Sequence, residues 1–339
     1  MTDQLFYGFR ILQTTFTIRK IINRLKLWTS YSFSIFGKMK TFKTLPFFVS
    51  IEPVNACNLY CPECPVGMRN SKHGKQVGEK INLKLLKKTI DELSPALGHA
   101  ILYFQGEPLL NKDFTEIVRY IHDKKILTTT STNAQLLSNE TAKKIVLSGL
   151  DRIIISIDGT TQETYETYRV GAKLDKTIQG IQNLVKWKKE LKSKSPFIEL
   201  QFLVLSTNEH QMKEMKKMGK KWKADKLTFK TAQLYEFENG NPLLPKNKKY
   251  ARYELREDGK YHIKSKLKNR CKRLWMGSVI TSGGNVLPCC FDKDNSFIFG
   301  NLFQNNFQNI WRNEKANQFR QDLLQNRKQF EMCRNCTEP

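Results

Sequence analysis

The 339-residue chain has no cysteine between Cys64 and Cys271, a single acid (Asp3) in its first forty positions, and no internal repeat of solenoid length. No apolar stretch is free enough of charge to span a bilayer, and no export signal is apparent. Each absence removes a class. Without a repeat, solenoid and propeller architectures drop out. Without scattered cysteines, so does the disulfide framework of a small secreted domain. The cysteines fall instead into two groups, Cys57, Cys61 and Cys64, then Cys271, Cys289, Cys290, Cys333 and Cys336. That grouping indicates metal sites in a reducing, cytoplasmic compartment. An apolar share of 40% is ample for one large α/β domain and a smaller one.

The formal charge is +25. Its lysines are spread, however, through runs such as 186–194 and 213–223, where they alternate with apolar positions at helical spacing. Solvated helix faces explain them, so nucleic acid is not an expected partner. Residues 1–46 differ: Phe9, Leu12, Phe16, Ile18, Ile22 and Leu25 recur at helical spacing between Arg10, Arg19, Arg24 and Lys26. They read as a basic amphipathic helix, able to cap the main domain, to make peripheral contact with the inner membrane face, or to serve as a transit peptide.

From residue 47 strand-like and helix-like segments alternate. Strands are expected at Phe47–Ile51, Ala100–Phe104, Leu127–Ser131, Arg152–Ile157, Ile198–Leu205 and Lys226–Thr231. Helices are expected at Leu83–Leu93, Phe114–Lys124, Asn139–Ser148, Lys176–Leu191 and His210–Trp222. The alternation predicts a parallel α/β sheet, curved or closed into an incomplete (β/α) barrel, over residues 47–240. It lapses near Glu238-Asn-Gly-Asn-Pro242. Residues 241–339 then carry an expected hairpin, Ser278–Thr281 against Val286-Leu287, and a helix over Phe307–Asn326.

The chemistry lies in the loops after the strands, where ligands bind in such sheets. After the first strand, Cys57-x3-Cys61-x2-Cys64 supplies three thiolates and no fourth. A closed structural zinc site wants four, whereas a 4Fe–4S cube on three cysteines keeps one iron for a ligand. After the second come Gln105, Gly106 and Glu107, a glycine that lets backbone approach a ligand beside a carboxylate that can accept from an ammonium. Thr132 and Asn133 follow the third. After the fourth, Ser156 and Asp158 stand two apart on one strand face, within common reach of a ribose.

These residues make the chain resemble the radical SAM superfamily, in its SPASM-bearing branch. The resemblance implies a partial (β/α)6 barrel with a small C-terminal iron–sulfur domain, and S-adenosylmethionine (SAM) chelated by the 4Fe–4S cluster of Cys57, Cys61 and Cys64. It implies that Gln105-Gly106-Glu107-Pro108 meets the methionine amine, Ser156 and Asp158 the ribose, and Arg169 the carboxylate. Gln105 and Glu63 stand where the family often has glycine and an adenine-stacking aromatic. Cys271, Gly284-x4-Cys289 and Cys333-x2-Cys336 resemble the SPASM pattern and imply one auxiliary 4Fe–4S cluster on Cys271, Cys289 or Cys290, Cys333 and Cys336, with zinc on the same four as the alternative. Also implied are a flavodoxin- or ferredoxin-type electron donor and radical chemistry on a peptide or protein side chain. The alternatives are dehydrogenation or epimerisation of a small molecule or, in another class, a non-catalytic metal- or RNA-binding protein.

Overall fold

The computed structural model describes residues 2–37, 43–75 and 77–337. Six parallel strands follow one another in space as in sequence: β1 (Phe48–Ile51), β2 (His99–Ile101), β3 (Leu127–Thr132), β4 (Arg152–Ser156), β5 (Phe197–Val204) and β6 (Lys226–Thr231). Most of the expected spans hold to within a residue or two. β2 is shorter, because the chain beyond Leu102 leaves the sheet to bring Gly106 against the loop after β1.

Helices cover one face of this curved sheet. They include α4 (Leu83–Leu93), α5 (Phe114–Asp123), α6 (Asn139–Leu147), α8 (Leu174–Glu190) and α9 (Met212–Lys221); the shorter α3 (Pro65–His73) and α7 (Gln162–Tyr168) belong to the connections after β1 and β4. Their apolar stripes explain the packing. Leu86, Ile90 and Leu93 of α4, and Phe114, Ile117, Val118 and Ile121 of α5, are all buried at i, i+3, i+4 or i+7 spacing. They meet the outward residues of the strands, such as Val49, Ala100, Ile153, Ile155 and Leu200, none of which is exposed. Side-chain caps start several helices. Asn82 accepts from Leu85 N, Ser138 from Thr141 N and Thr161 from Thr164 N, each contributing about 1 kcal/mol.

The tail joins the same sheet. After a small hairpin of β7 (Tyr253–Leu255) and β8 (Tyr261–Ile263) and the short α10 (Lys272–Met276), β9 (Gly277–Ile280) pairs in parallel with β1, and β10 (Asn285–Leu287) and β11 (Gly300–Asn301) extend it to nine strands. Gly277 is needed there because a Cβ would lie 2.2 Å from the Phe48 ring. The lapse of pattern near residue 240 therefore marks a change of topology, while the hydrogen-bonded sheet runs on across it. The helix expected over Phe307–Asn326 is two: α11 (Phe307–Arg312) and α12 (Glu314–Gln325), with α13 (Glu331–Arg334) beyond. Asn313 divides them by capping α12, its Oδ1 accepting from Ala316 N.

The N-terminal segment is also two helices, α1 (Asp3–Thr15) and α2 (Ile18–Ile35), divided at Thr17, whose backbone is extended. Both dock on the protein. Arg10 of α1 reaches Asp151 at 2.7 Å, just before β4, and Tyr7 stacks on Phe197 at the start of β5. Lys20 donates to the carbonyls of Thr14 and Lys125, and α2 packs on α10 and α12. The helices thus cover the N-terminal ends of the strands. No helix among the described residues is long and apolar enough to cross a membrane.

Candidate functional site

At the opposite end, the loop after β1 carries Cys57 and Cys61 and runs into α3, whose N-cap is Cys64. Pro65 at the first helical position presets the turn, and Cys64 caps through backbone alone, so its thiol is not spent on the helix. Asn70, reaching back from α3, donates to the carbonyls of Cys57 and Leu59, both at 3.0 Å. Gly67 lets α3 lie on Cys61, where a Cβ would be 2.3 Å from the carbonyl oxygen.

Gly106 has a reason of the same kind. A Cβ there would meet Val54 O at 2.0 Å, and the next amide, Glu107 N, donates to Ala56 O at 2.8 Å. The glycine serves close approach of its loop to the thiol-bearing loop, a role that sequence did not announce, and it also lies in the lining of the cleft.

A cleft of ≈ 590 Å³, counting its open mouth, brings Cys57, Cys61, Cys64, Gln105, Gly106, Glu107, Ser156 and Arg169 together, with Tyr103, Ser131, Asn133 and Tyr168 among its other walls. Asp158 is not in the lining. It is fully buried, its Oδ2 accepting from Arg169 Nε at 2.5 Å and its Oδ1 from Leu203 N at 2.6 Å. β4 ends at Ser156, so the strand alternation that would aim Asp158 beside it has already lapsed. Tyr103, Ser131 and Tyr168 were missed by sequence reasoning. Only the position of Ser131, next to the end of β3, hints at its role.

Both oxygens of Glu107 are engaged, Oε1 by Thr132 Oγ1 and Leu109 N, Oε2 by Asn133 N. Asn133 in turn donates to Asn58 Oδ1 and stands 3.8 Å from Cys57 Sγ. The two departures from the family pattern find uses. Gln105 donates to Lys293 O of the tail at 2.6 Å, and Glu63 accepts from Tyr235 N and Asn241 Nδ2, tying the thiol loop to the segment after β6.

Burial pushes the Cys57 thiol up to about 12, with the Glu107 carboxylate adding to the rise. Cys61 also rises through burial, opposed by Arg169, whose Nη1 lies 4.0 Å from its sulfur. Such thiols give up their protons to a metal, not to water at neutral pH. Among the described residues no three His, Cys, Asp or Glu side chains converge as closely as a single ion requires.

The second cysteine group closes on a separate cavity. Cys271, Cys289, Cys333 and Cys336 line it with Leu274, Phe291, Phe319, Leu323 and Met332, and Arg327 donates to Cys336 Sγ at 3.2 Å. Cys290 is outside this lining. The Cys289 thiol donates to it, which draws Cys290 down to about 6, with Arg273 and Lys293 nearby, and drives Cys289 upward. Four soft thiols in an apolar pocket suit a fully ligated cluster, and three at a polar cleft suit one with an open position.

Comparison with known proteins agrees with this donor chemistry. The model of the radical SAM superfamily matches residues 51–193, and that of the SPASM iron–sulfur cluster-binding domain matches residues 271–337. A probable GTP 3′,8-cyclase of Methanococcus maripaludis is 32% identical over 140 residues, 41% of this chain and 45% of that protein. An AdoMet-dependent heme synthase of Methanosarcina barkeri is 32% identical over 143 residues, 42% of this chain and 40% of that protein. The matched segment thus spans under half of either relative.

Among solved structures, SuiB of Streptococcus suis bound to S-adenosylmethionine superposes with a TM-score of 0.62 at 16% identity, over 86% of this chain and 72% of that one. BtrN in complex with AdoMet and 2-DOIA gives 0.53 at 20% identity, over 88% and 95%. These likenesses establish the fold. The chain belongs to the radical SAM superfamily and carries a C-terminal SPASM domain, and it holds a 4Fe–4S cluster with SAM and an auxiliary iron–sulfur centre.

Proposed function

We propose that the chain cleaves SAM reductively and abstracts a hydrogen atom from a peptide or protein side chain, with residues 47–240 as the catalytic unit and 241–339 as the auxiliary-cluster unit. One observation carries the first half. Three thiols share the cleft, while Glu107, Asp158 and Glu63, the carboxylates around it, have both oxygens bound by protein donors. Among the described residues, the cleft lining offers no fourth cysteine, no histidine and no carboxylate without protein donors to complete the ligand set. When bound, the cluster of Cys57, Cys61 and Cys64 supplies the electron that splits the sulfonium into methionine and a 5′-deoxyadenosyl radical.

The remaining work falls to side chains. Glu107 Oε2 carries one bond and retains acceptor capacity for the methionine ammonium. Ser156 faces the ribose. Arg169, held by Asp158, receives the carboxylate, and Asp158 contributes through it. Tyr103, Phe104 and Tyr168 keep water from the carbon radical. The basic surface suits an acidic reductant of the flavodoxin or ferredoxin type.

A peptide is favoured by β6, a six-residue end strand paired on one side only, which can accept an extended chain as a further strand. A small molecule is the second reading, favoured by the Arg152–Glu199 pair on the strand faces that point into the barrel with Ser156. The test is anaerobic reconstitution with SAM and dithionite, read as 5′-deoxyadenosine. A peptide encoded beside the gene should stimulate its release and change mass. Release with no response to any peptide, but with turnover of a small metabolite, would reject the peptide reading and keep the radical one.

A further inference from the structure

The two N-terminal helices dock the wrong way round for an ordinary amphipathic helix. In α1 the buried positions are Arg10, Thr14 and Thr15, whereas Leu5, Phe9, Leu12 and Phe16, a single stripe at i, i+4, i+7 and i+11, are 49–64% exposed. In α2, Lys20, Ser30 and Ser34 are buried with Leu27 and Tyr31, while Ile18 is 77% and Leu25 60% exposed on the other side. Of the nineteen large apolar side chains exposed among the described residues, twelve lie between Leu5 and Phe36. A patch this concentrated marks a surface that something covers.

The charge around the patch identifies the cover. Asp3 is the only acid before Glu52, and it is neutralised by Lys188 at 2.8 Å and Lys194 at 3.5 Å. Beside it, Lys189, Lys192 and Lys223 line the same hollow at the start of α1. Helices of a parallel barrel end on this side, and cations are favoured at helix C-termini, so the lysines closing α8 and α9 collect here. Arg19 and Lys26 are exposed among the apolar residues of α2. A second copy of the chain would bring the same cations face to face.

We propose that this face, at the end of the barrel away from the thiol cleft, binds the surface of an anionic phospholipid bilayer. The apolar stripes of α1 and α2 enter the headgroup boundary, and the lysine rim meets lipid phosphate. The cleft is then held open to the aqueous side.

The test is co-sedimentation of the full-length holoprotein with vesicles of equal parts phosphatidylglycerol and phosphatidylcholine, and with phosphatidylcholine alone. Binding to the anionic vesicles should be stronger by about tenfold or more and should weaken with salt. The triple variant Phe9→Ser, Leu12→Ser, Phe16→Ser should bind on the order of a hundredfold more weakly. Its circular dichroism and iron content should match the wild type, because none of the three is buried. Lys192→Glu with Lys223→Glu, which leaves the stripes intact, should remove the preference for anionic lipid. The proposal is overturned if the wild-type protein sediments with neither vesicle, or if the triple variant binds as well as the wild type. It is also overturned if the protein is instead a dimer that the triple variant dissociates.

Discussion

In the cleft, three thiols from one loop face amides, hydroxyls and an arginine. In the tail, four thiols from three separate segments surround leucine, phenylalanine and methionine side chains. The first arrangement stops one ligand short and has polar groups beside the gap. The second has its four thiols and is closed by apolar packing, with Arg327 donating to Cys336. An iron–sulfur site built to take a substrate and one built to be sealed are thus told apart by what stands beside the sulfurs as well as by their number.

The largest effect that would break this contrast is at Cys61. Cys61→Ala should abolish 5′-deoxyadenosine formation, a loss of at least about a thousandfold, and lower the iron content from about eight to about four per chain. Retention of turnover would mean that the cleft thiols do not carry the chemistry. Next is the tail pair. Cys289→Ala should cost about half the iron and melt earlier, whereas Cys290→Ala should keep its iron, as measured by metal analysis and absorbance. Equal losses would mean that the cavity does not distinguish the adjacent thiols.

Asp158→Asn should act on the open site alone. Leaving the part-buried Arg169 without its partner charge should destabilise the barrel by about 3 kcal/mol in urea denaturation and weaken SAM binding in equilibrium dialysis, with the tail cluster intact.

The smallest effect sharpens the contrast by setting the barrel interior apart from both thiol sites. His99 is pulled down to about 4 by burial, with Arg152 and Arg273 adding to the shift, while its Nε2 lies 2.9 Å from Thr129 Oγ1. The folded protein therefore keeps this ring neutral where the unfolded chain, near its ordinary 6.5, takes up a proton. Stability present above pH 6.5 is lost as pH falls toward 4, by about 2–3 kcal/mol for this group. His99→Gln should flatten that part of a denaturation series against pH.

Much of the barrel was legible because its signals are local. α4 and β6 occupy the spans that their periodicity predicts, and the Cys57–Cys64 loop declares itself in eight consecutive residues. Asn313 was less legible. An asparagine within a helical pattern is an ordinary sight, and only its capping bond to Ala316 N shows the break. Asp158 illustrates the same limit, since two-residue spacing promised a shared strand face and the strand stopped two residues short.

The sequence by itself determined the donor types, the count of cleft thiols and the alternation that builds a parallel sheet, because these depend on residue identity and short-range period. The tertiary structure alone decided which tail thiols share a cavity, that Gln105 and Glu63 tie the cleft to distant segments, and that the N-terminal helices turn their apolar sides outward. Those outcomes depend on contacts between residues far apart in the chain, whose closure no local propensity encodes.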